Sequence, residues 1–276
     1  MLDWLLGRKK GATEPGGAAL RAAAKREVPL YARLVARPTR TLPDDLAAQE
    51  QGETHRREID ACLRELSRAP VPSNDAVVLT SLVSGPKGVV TIHAADGERA
   101  ALHFSSPLRA ADYRDAAGDG AARWQYIALT IPGMLRMLRD LERMGITSFC
   151  LDRCPRCDLA VFIQSGTVAT AEQVWAALQV SAANKLARSR LYLTYALSAA
   201  CAGRITEALE VALECAGHVT LEDPNVHLLL GRIGVALKDP VLADEARALL
   251  MLIGARAYAE KLDQAVASGA TDFERR

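Results

Sequence analysis

The stretch Leu102-His103-Phe104-Ser105-Ser106-Pro107-Leu108-Arg109-Ala110-Ala111-Asp112-Tyr113 constrains the fold of this chain more than any other. It opens as an apolar run of strand length. Ser106 is then a good helix N-cap, and Pro107 takes the first helical position, where its missing amide proton costs nothing. The stretch reads as a buried strand turning straight into a capped helix, and an α/β domain is built outward from that turn. Short apolar runs at 77–79, 88–92 and 101–104 are separated by Gly85-Pro86 and Asp96-Gly97, which predicts strands, the last two joined by a tight turn. After a loop at Gly118-Asp119-Gly120, residues 124–130 read as a fourth strand. A helix over 132–144 carries Met134, Leu138 and Leu141 on one stripe and stops at Gly145. Residues 147–151 and 159–163 complete the strand set.

The chain on either side is helical in pattern. Residues 1–17 combine Trp4, Leu5 and Leu6 with Arg8, Lys9 and Lys10 and several glycines, and read as a flexible tail. Residues 18–69 form a helical segment, with Leu30, Tyr31, Leu34 and Val35 at helical spacing and a second helix from about 44 to 68. Ala69-Pro70-Val71-Pro72-Ser73-Asn74 is the clearest linker and opens the α/β domain at 70–165. From Thr170, which forms a capping box with Gln173, residues 170–268 read as helices throughout.

Within that region a weak repeat is present. Ala196 and Ala208 are twelve residues apart, as are Gly231 and Ala243, and the two pairs are offset by 35 residues. Small residues at that spacing are what the paired helices of a tetratricopeptide unit, about 34 residues long, need where they cross. Gly203 falls in the first inter-helix turn and Asp239-Pro240 in the second, while Asp223-Pro224 starts the second unit. The expected fold class is therefore α/β, a small mixed-sheet domain, followed by an all-α, helical-repeat-like C-terminal domain.

The central domain resembles the N-terminal domain of the SseB family, proteins first named as enhancers of bacterial secretion. The resemblance rests on the apolar strand followed by Phe104-Ser105-Ser106-Pro107, on Ala110-Ala111 in the ensuing helix, and on the strand at 124–130. It continues through the helix at 135–141 and Gly145-Ile146 before the last matching strand. About 80 residues are covered. Where the family commonly has a polar Asn-Pro turn, this chain has Asp152-Arg153-Cys154-Pro155-Arg156-Cys157. The resemblance brings no catalytic residue with it. It implies a bacterial cytoplasmic adaptor with a link to secretion or stress.

Charge and cysteine usage bound the function further. The formal net charge is +1, which argues against a nucleic-acid protein with a wholly basic surface. That balance hides nine Lys/Arg against three Asp/Glu in residues 1–40 and an acidic lean over 41–66. No apolar run approaches the roughly 20 residues that span a bilayer. Trp4, Leu5 and Leu6 beside Arg8, Lys9 and Lys10 predict at most weak, peripheral attraction to an anionic membrane. The start of the chain does not read as a signal peptide, which predicts a cytoplasmic protein with six mostly unpaired cysteines.

Cys154 and Cys157 form the one local motif with chemical content. Two cysteines two residues apart on a turn present both sulfurs to one tetrahedral metal, so zinc is the candidate cofactor, with Cys150, or His93 and His103, completing the site. A structural turn with free thiols and a redox pair are the other readings of the same motif. His103 abuts Ser105 and Ser106 without an orienting acid, and Ser84-Gly85-Pro86-Lys87-Gly88 lacks P-loop spacing, so no catalytic residue is nominated. The sequence is better read as a protein-interaction module than as an enzyme. Its candidate partner contacts are Tyr192, Tyr195, His227 and Arg232, on the inner helices of the repeat-like pairs, with an inter-helix core position the alternative for both tyrosines.

Overall fold

The computed structural model describes residues 30, 34, 42–84, 88–93, 97, 99–105, 107–153, 161–269 and 273. Among these are nine α-helices and a six-stranded sheet, which makes the chain an α/β protein with a helical C-terminal part. The basic start of the chain, Ser106, Cys154 and Cys157 lie outside the described residues. Among the described residues no helix is long and apolar enough to cross a membrane.

The chain divides into two compact units. The described residues within Asp60–Asn184 build the α/β unit, and those within Ala22–Ile59 and Lys185–Arg276 build the helical unit. Helix α1 (Asp44–Gln51) and the start of α2 (Glu53–Leu66) fall in the helical unit, while α2 from Asp60 onward falls in the α/β unit. The single helix expected over 44–68 is thus two. Gly52, extended at φ −88° and ψ −178°, separates them, in keeping with the high entropic cost of holding glycine in a helix interior.

In the α/β unit the strands are β1 (Val77–Val83), β2 (Thr91–His93), β3 (Arg99–Phe104), β4 (Gln125–Thr130), β5 (Ser148–Leu151) and β6 (Val161–Gln164). Their order is β4-β1-β3-β5-β6, with β2 pairing the first half of β3. Among the described residues only the β3–β5 pair is parallel, so the sheet is mixed. β1 is longer than its apolar run because Thr80 and Ser81 are buried between two neighbours, with the Ser81 hydroxyl donating to the carbonyl of Leu102 at 3.3 Å.

Each face of this sheet has its own core. On one, Leu79, Ala101, Phe149 and Leu151 pack with Ile131, Met134, Leu138 and Leu141 of α4 (Ile131–Arg143) and with Val174, Trp175 and Leu178 of α5 (Ala171–Cys201). On the other, Leu82, Leu102, Phe104 and Cys150 pack with Ala110 of α3 (Pro107–Ala116). Thr130 caps α4 by accepting from the amide of Gly133, and Gly145 follows its C-terminus at φ +72°, a conformation only glycine takes without strain. The capping box at the start of α5 is present in both directions, Gln173 amide to Thr170 Oγ1 at 3.3 Å and Thr170 amide to Gln173 Oε1 at 3.0 Å.

In the helical unit, the second part of α5 is followed by α6 (Ile205–Glu214), a π-helical turn (Cys215–Val219), α7 (Pro224–Leu237), α8 (Pro240–Leu252) and α9 (Arg256–Ser268). Asp223 and Asp239 cap α7 and α8, each with proline at the next position. Small residues set the helix approaches. A Cβ on Gly234 would stand 2.9 Å from the amide nitrogen of Ala243, and one on Gly231 would run into the side chain of Leu262. The glycine that faces Ala243 is therefore Gly234, and Gly231 makes room for α9. Leu30 and Leu34 are helical and buried, and the carbonyl of Leu34 lies 2.9 Å from where a Cβ on Gly217 would be.

Candidate functional site

Arg188, Tyr192 and Tyr195 are spaced i, i+4, i+7 along α5, which puts all three on one face of the helix. That face meets the acidic segment 44–59 of the same unit. Arg188 Nε is 2.5 Å from Glu50 Oε1, and the Tyr192 hydroxyl lies 3.4 Å from both oxygens of the same carboxylate. The Tyr195 hydroxyl donates to Asp45 Oδ1 at 3.1 Å and contacts Glu207 of α6 more closely still. Arg190, two residues along α5 from Arg188, pairs with Glu58 at 2.9 Å. Burial, reinforced by Glu50, pushes the Tyr192 hydroxyl far above its ordinary pKa, while the bond to Glu207 and then desolvation raise Tyr195 to about 12. Both phenols stay protonated at neutral pH and act as donors to carboxylates. His55 sits among these charges, and burial together with Arg188 lowers its pKa.

A second cluster surrounds the π-helical turn. The Ser189 hydroxyl donates to Asp223 Oδ2, Asp223 Oδ1 accepts from the amide of Asn225, and Cys215 Sγ lies 3.9 Å from Ser189 Oγ. His227 is fully buried and its Nε2 donates to the carbonyl of Leu221 at 2.7 Å. Burial lowers its pKa and keeps the ring neutral. The Ser189 proton goes to a helix-capping aspartate and the His227 proton to a backbone carbonyl. Both protons are committed to structural acceptors at the chain reversal before α7, so Ser189 and His227 do not form a nucleophile–base pair, while the buried Nδ1 of His227 has no hydrogen-bond partner among the described residues.

A polar junction in the α/β unit lies at the carboxyl ends of β3 and β5. Asp152 accepts from the Ser105 amide at 2.8 Å and from the Ser105 hydroxyl at 2.9 and 2.8 Å, while its own amide donates to the carbonyl of His103 at 2.9 Å. Asp152 holds φ at +53°, a left-handed value that aspartate tolerates better than most residues. Cys150 is buried on the Leu102 face of the sheet, and desolvation pushes its thiol up to about 12. His103 packs edge-on against Phe149 and so belongs to the opposite face, and exposed His93 pairs with Arg99 at the far end of β3. Neither histidine can complete a site with Cys150. Among the described residues no group of three His, Cys, Asp or Glu side chains is placed to hold a metal ion, and Cys154 and Cys157 lie outside them.

Of the four partner contacts expected from the sequence, Tyr192 and Tyr195 are buried and turned to the chain's own carboxylates, and His227 is a core residue. Arg232 alone is half-exposed. His227 is expected from its inner-helix position to line a groove, but it is fully buried with its ring bonded to the Leu221 carbonyl. Sequence alone does not mark Arg188, Arg190 and the carboxylates of 44–59 as one site. The signal for Arg188 was its i, i+4, i+7 spacing with the tyrosines, but the acidic segment is remote in sequence and nothing local joins the two. Compared with known proteins, the chain matches no protein-family model, no curated protein and no solved structure.

Proposed function

We propose that this chain is a non-enzymatic protein–protein interaction or adaptor protein of the bacterial cytoplasm, with an SseB-like α/β domain and a partner-binding helical domain. The observation that carries this reading is the Arg188–Tyr192–Tyr195 face, a set of cationic and phenolic groups engaged with a carboxylate-bearing helical segment. Tyrosine and arginine are the side chains that most often anchor protein interfaces. Leu237, Val241, Met251 and Val266 add large apolar side chains at the surface of α7, α8 and α9. Pairs α5–α6 and α7–α8 are read as two tetratricopeptide-like units, supported by the buried small residues Ala196, Ala208 and Ala243. The family resemblance links the protein to secretion or stress.

Site-specific photo-crosslinking in the full chain tests this. A photoreactive residue at Val241 or Val266, both more than half exposed, is expected to trap one discrete protein adduct in the native host. The same probe at Met144, half exposed on the α/β unit, is expected to trap none. Adducts only from Met144, or from no position, contradict the assignment.

A further inference from the structure

Segment 44–59 is held to the helical unit by charge and hydroxyl contacts far more than by burial. Along α1 and the start of α2 only Leu46 and His55 are buried. The segment carries five carboxylates against two arginines. Opposite it stand Arg188, Arg190, Tyr192 and Tyr195, so the two surfaces are complementary in charge. The ends of α1 are weakly secured: Pro43 offers no side-chain cap and the last turn holds no basic residue.

The contact at Tyr195 is also contested. Its hydroxyl has one proton, and Asp45 and Glu207 both approach it. Arg204 holds Glu207 twice, at 2.9 and 2.8 Å, which secures Glu207 as the better-placed acceptor. Asp45 is left as the weaker acceptor beside a second carboxylate. A segment with little apolar burial and a contested contact belongs to the easily opened part of a fold.

We propose that segment 44–59 is a displaceable occupant of the arginine–tyrosine face, and that the partner of the helical unit is an acidic helix competing for the same side chains. This rests on the interaction reading above and gives the partner its chemistry. Displacement strips carboxylates from Arg188, Arg190 and the Tyr192 phenol, while Tyr195 keeps Glu207, so an incoming helix must return carboxylates at the places of Glu50 and Glu58, with one apolar residue in place of Leu46. A basic or uncharged helix leaves those donors unpaired, which is costly for partly buried groups.

The probe is a fluorescent peptide with the sequence of residues 42–59, added to the full chain. Asp45→Asn with Glu50→Gln loosens the internal segment while leaving α5 intact. This variant is expected to bind the probe about tenfold or more tighter than the unaltered chain, because a competing internal occupant lowers apparent affinity. Binding should weaken with salt, and a probe carrying the same two substitutions should not bind. Should the variant misfold, hydrogen exchange on the unaltered chain decides: excess probe must accelerate exchange of the internal 44–59 amides and leave α7 unchanged. No probe binding by a folded variant, or no acceleration in the unaltered chain, overturns the proposal. Adducts from Val241 without probe binding overturn it and leave the interaction reading standing; probe binding without adducts does the reverse.

Discussion

His103 shows how much one buried side chain can set the pH response. It is fully buried on β3, and neither ring nitrogen has a hydrogen-bond partner among the described residues. Desolvation lowers its pKa to about 4. The unfolded chain protonates this ring from about pH 6.5 downward, so between 6.5 and 4 the unfolded state binds more protons than the folded one. Stability from this residue is complete above pH 6.5 and falls as pH drops, by about 3 kcal/mol at pH 4. Urea denaturation of His103→Leu should show a clearly shallower loss between those limits. A residual slope is expected, since His55 and His227 are lowered in the same direction; an undiminished slope would count against an unpaired neutral His103. Gly231 is the steric counterpart. A Cβ there would stand 2.7 Å from Leu262 Cδ1 and closer to Cδ2. Overpacking costs about 1–3 kcal/mol against about 1 kcal/mol gained in helix propensity, so Gly231→Ala should be neutral to destabilising. Combined with Leu262→Ala it should cost less than the sum of the single changes, and strict additivity would show that the two residues do not meet.

The joint between β3 and β5 depends on Asp152 as an acceptor and on its left-handed backbone. Asp152→Ala removes the acceptor of the Ser105 amide and hydroxyl and places a poorly suited residue at φ +53°, a combined loss of about 2–3 kcal/mol. Asp152→Asn keeps an acceptor and tolerates the backbone, so it should cost about 1 kcal/mol or less. Equal losses for the two substitutions in urea titrations would mean that Ser105 does not depend on this side chain. Local features of this kind are often readable from the sequence. Thr170 with Gln173, Asp223-Pro224, Asp239-Pro240 and Gly145 all act within a few residues, and each forms a cap or turn where its residue type predicts one. The turn at Asp152 was not readable in the same way. Its conformation follows from bonds to Ser105 and to the carbonyl of His103, which sequence order keeps far apart. Gly52 was readable in principle, but the apolar spacing on both sides concealed the break it makes.

Across the chain, the alternation of strands and helices predicted a mixed sheet followed by helices, while the placement of segment 44–59 in the helical unit left no local trace. Hydrophobic period reports which residues face a core, not which core. The pairing of Arg188, Tyr192 and Tyr195 with Asp45 and Glu50 is set by charge across a long separation, so only the folded chain displays it. Because that pairing is electrostatic and buries little apolar surface, its strength should depend on ionic strength in a way that the packing of α7 against α8 does not. Hydrogen exchange of the full chain at low and high salt measures this directly. Amides of 44–59 should open at lower free energy than those of Pro224–Leu237, and raising salt from about 0.05 M to about 0.5 M should speed their exchange by roughly tenfold while α7 is unchanged. Protection of 44–59 equal to that of α7 and indifferent to salt would contradict the claim that charge holds this segment on the arginine–tyrosine face.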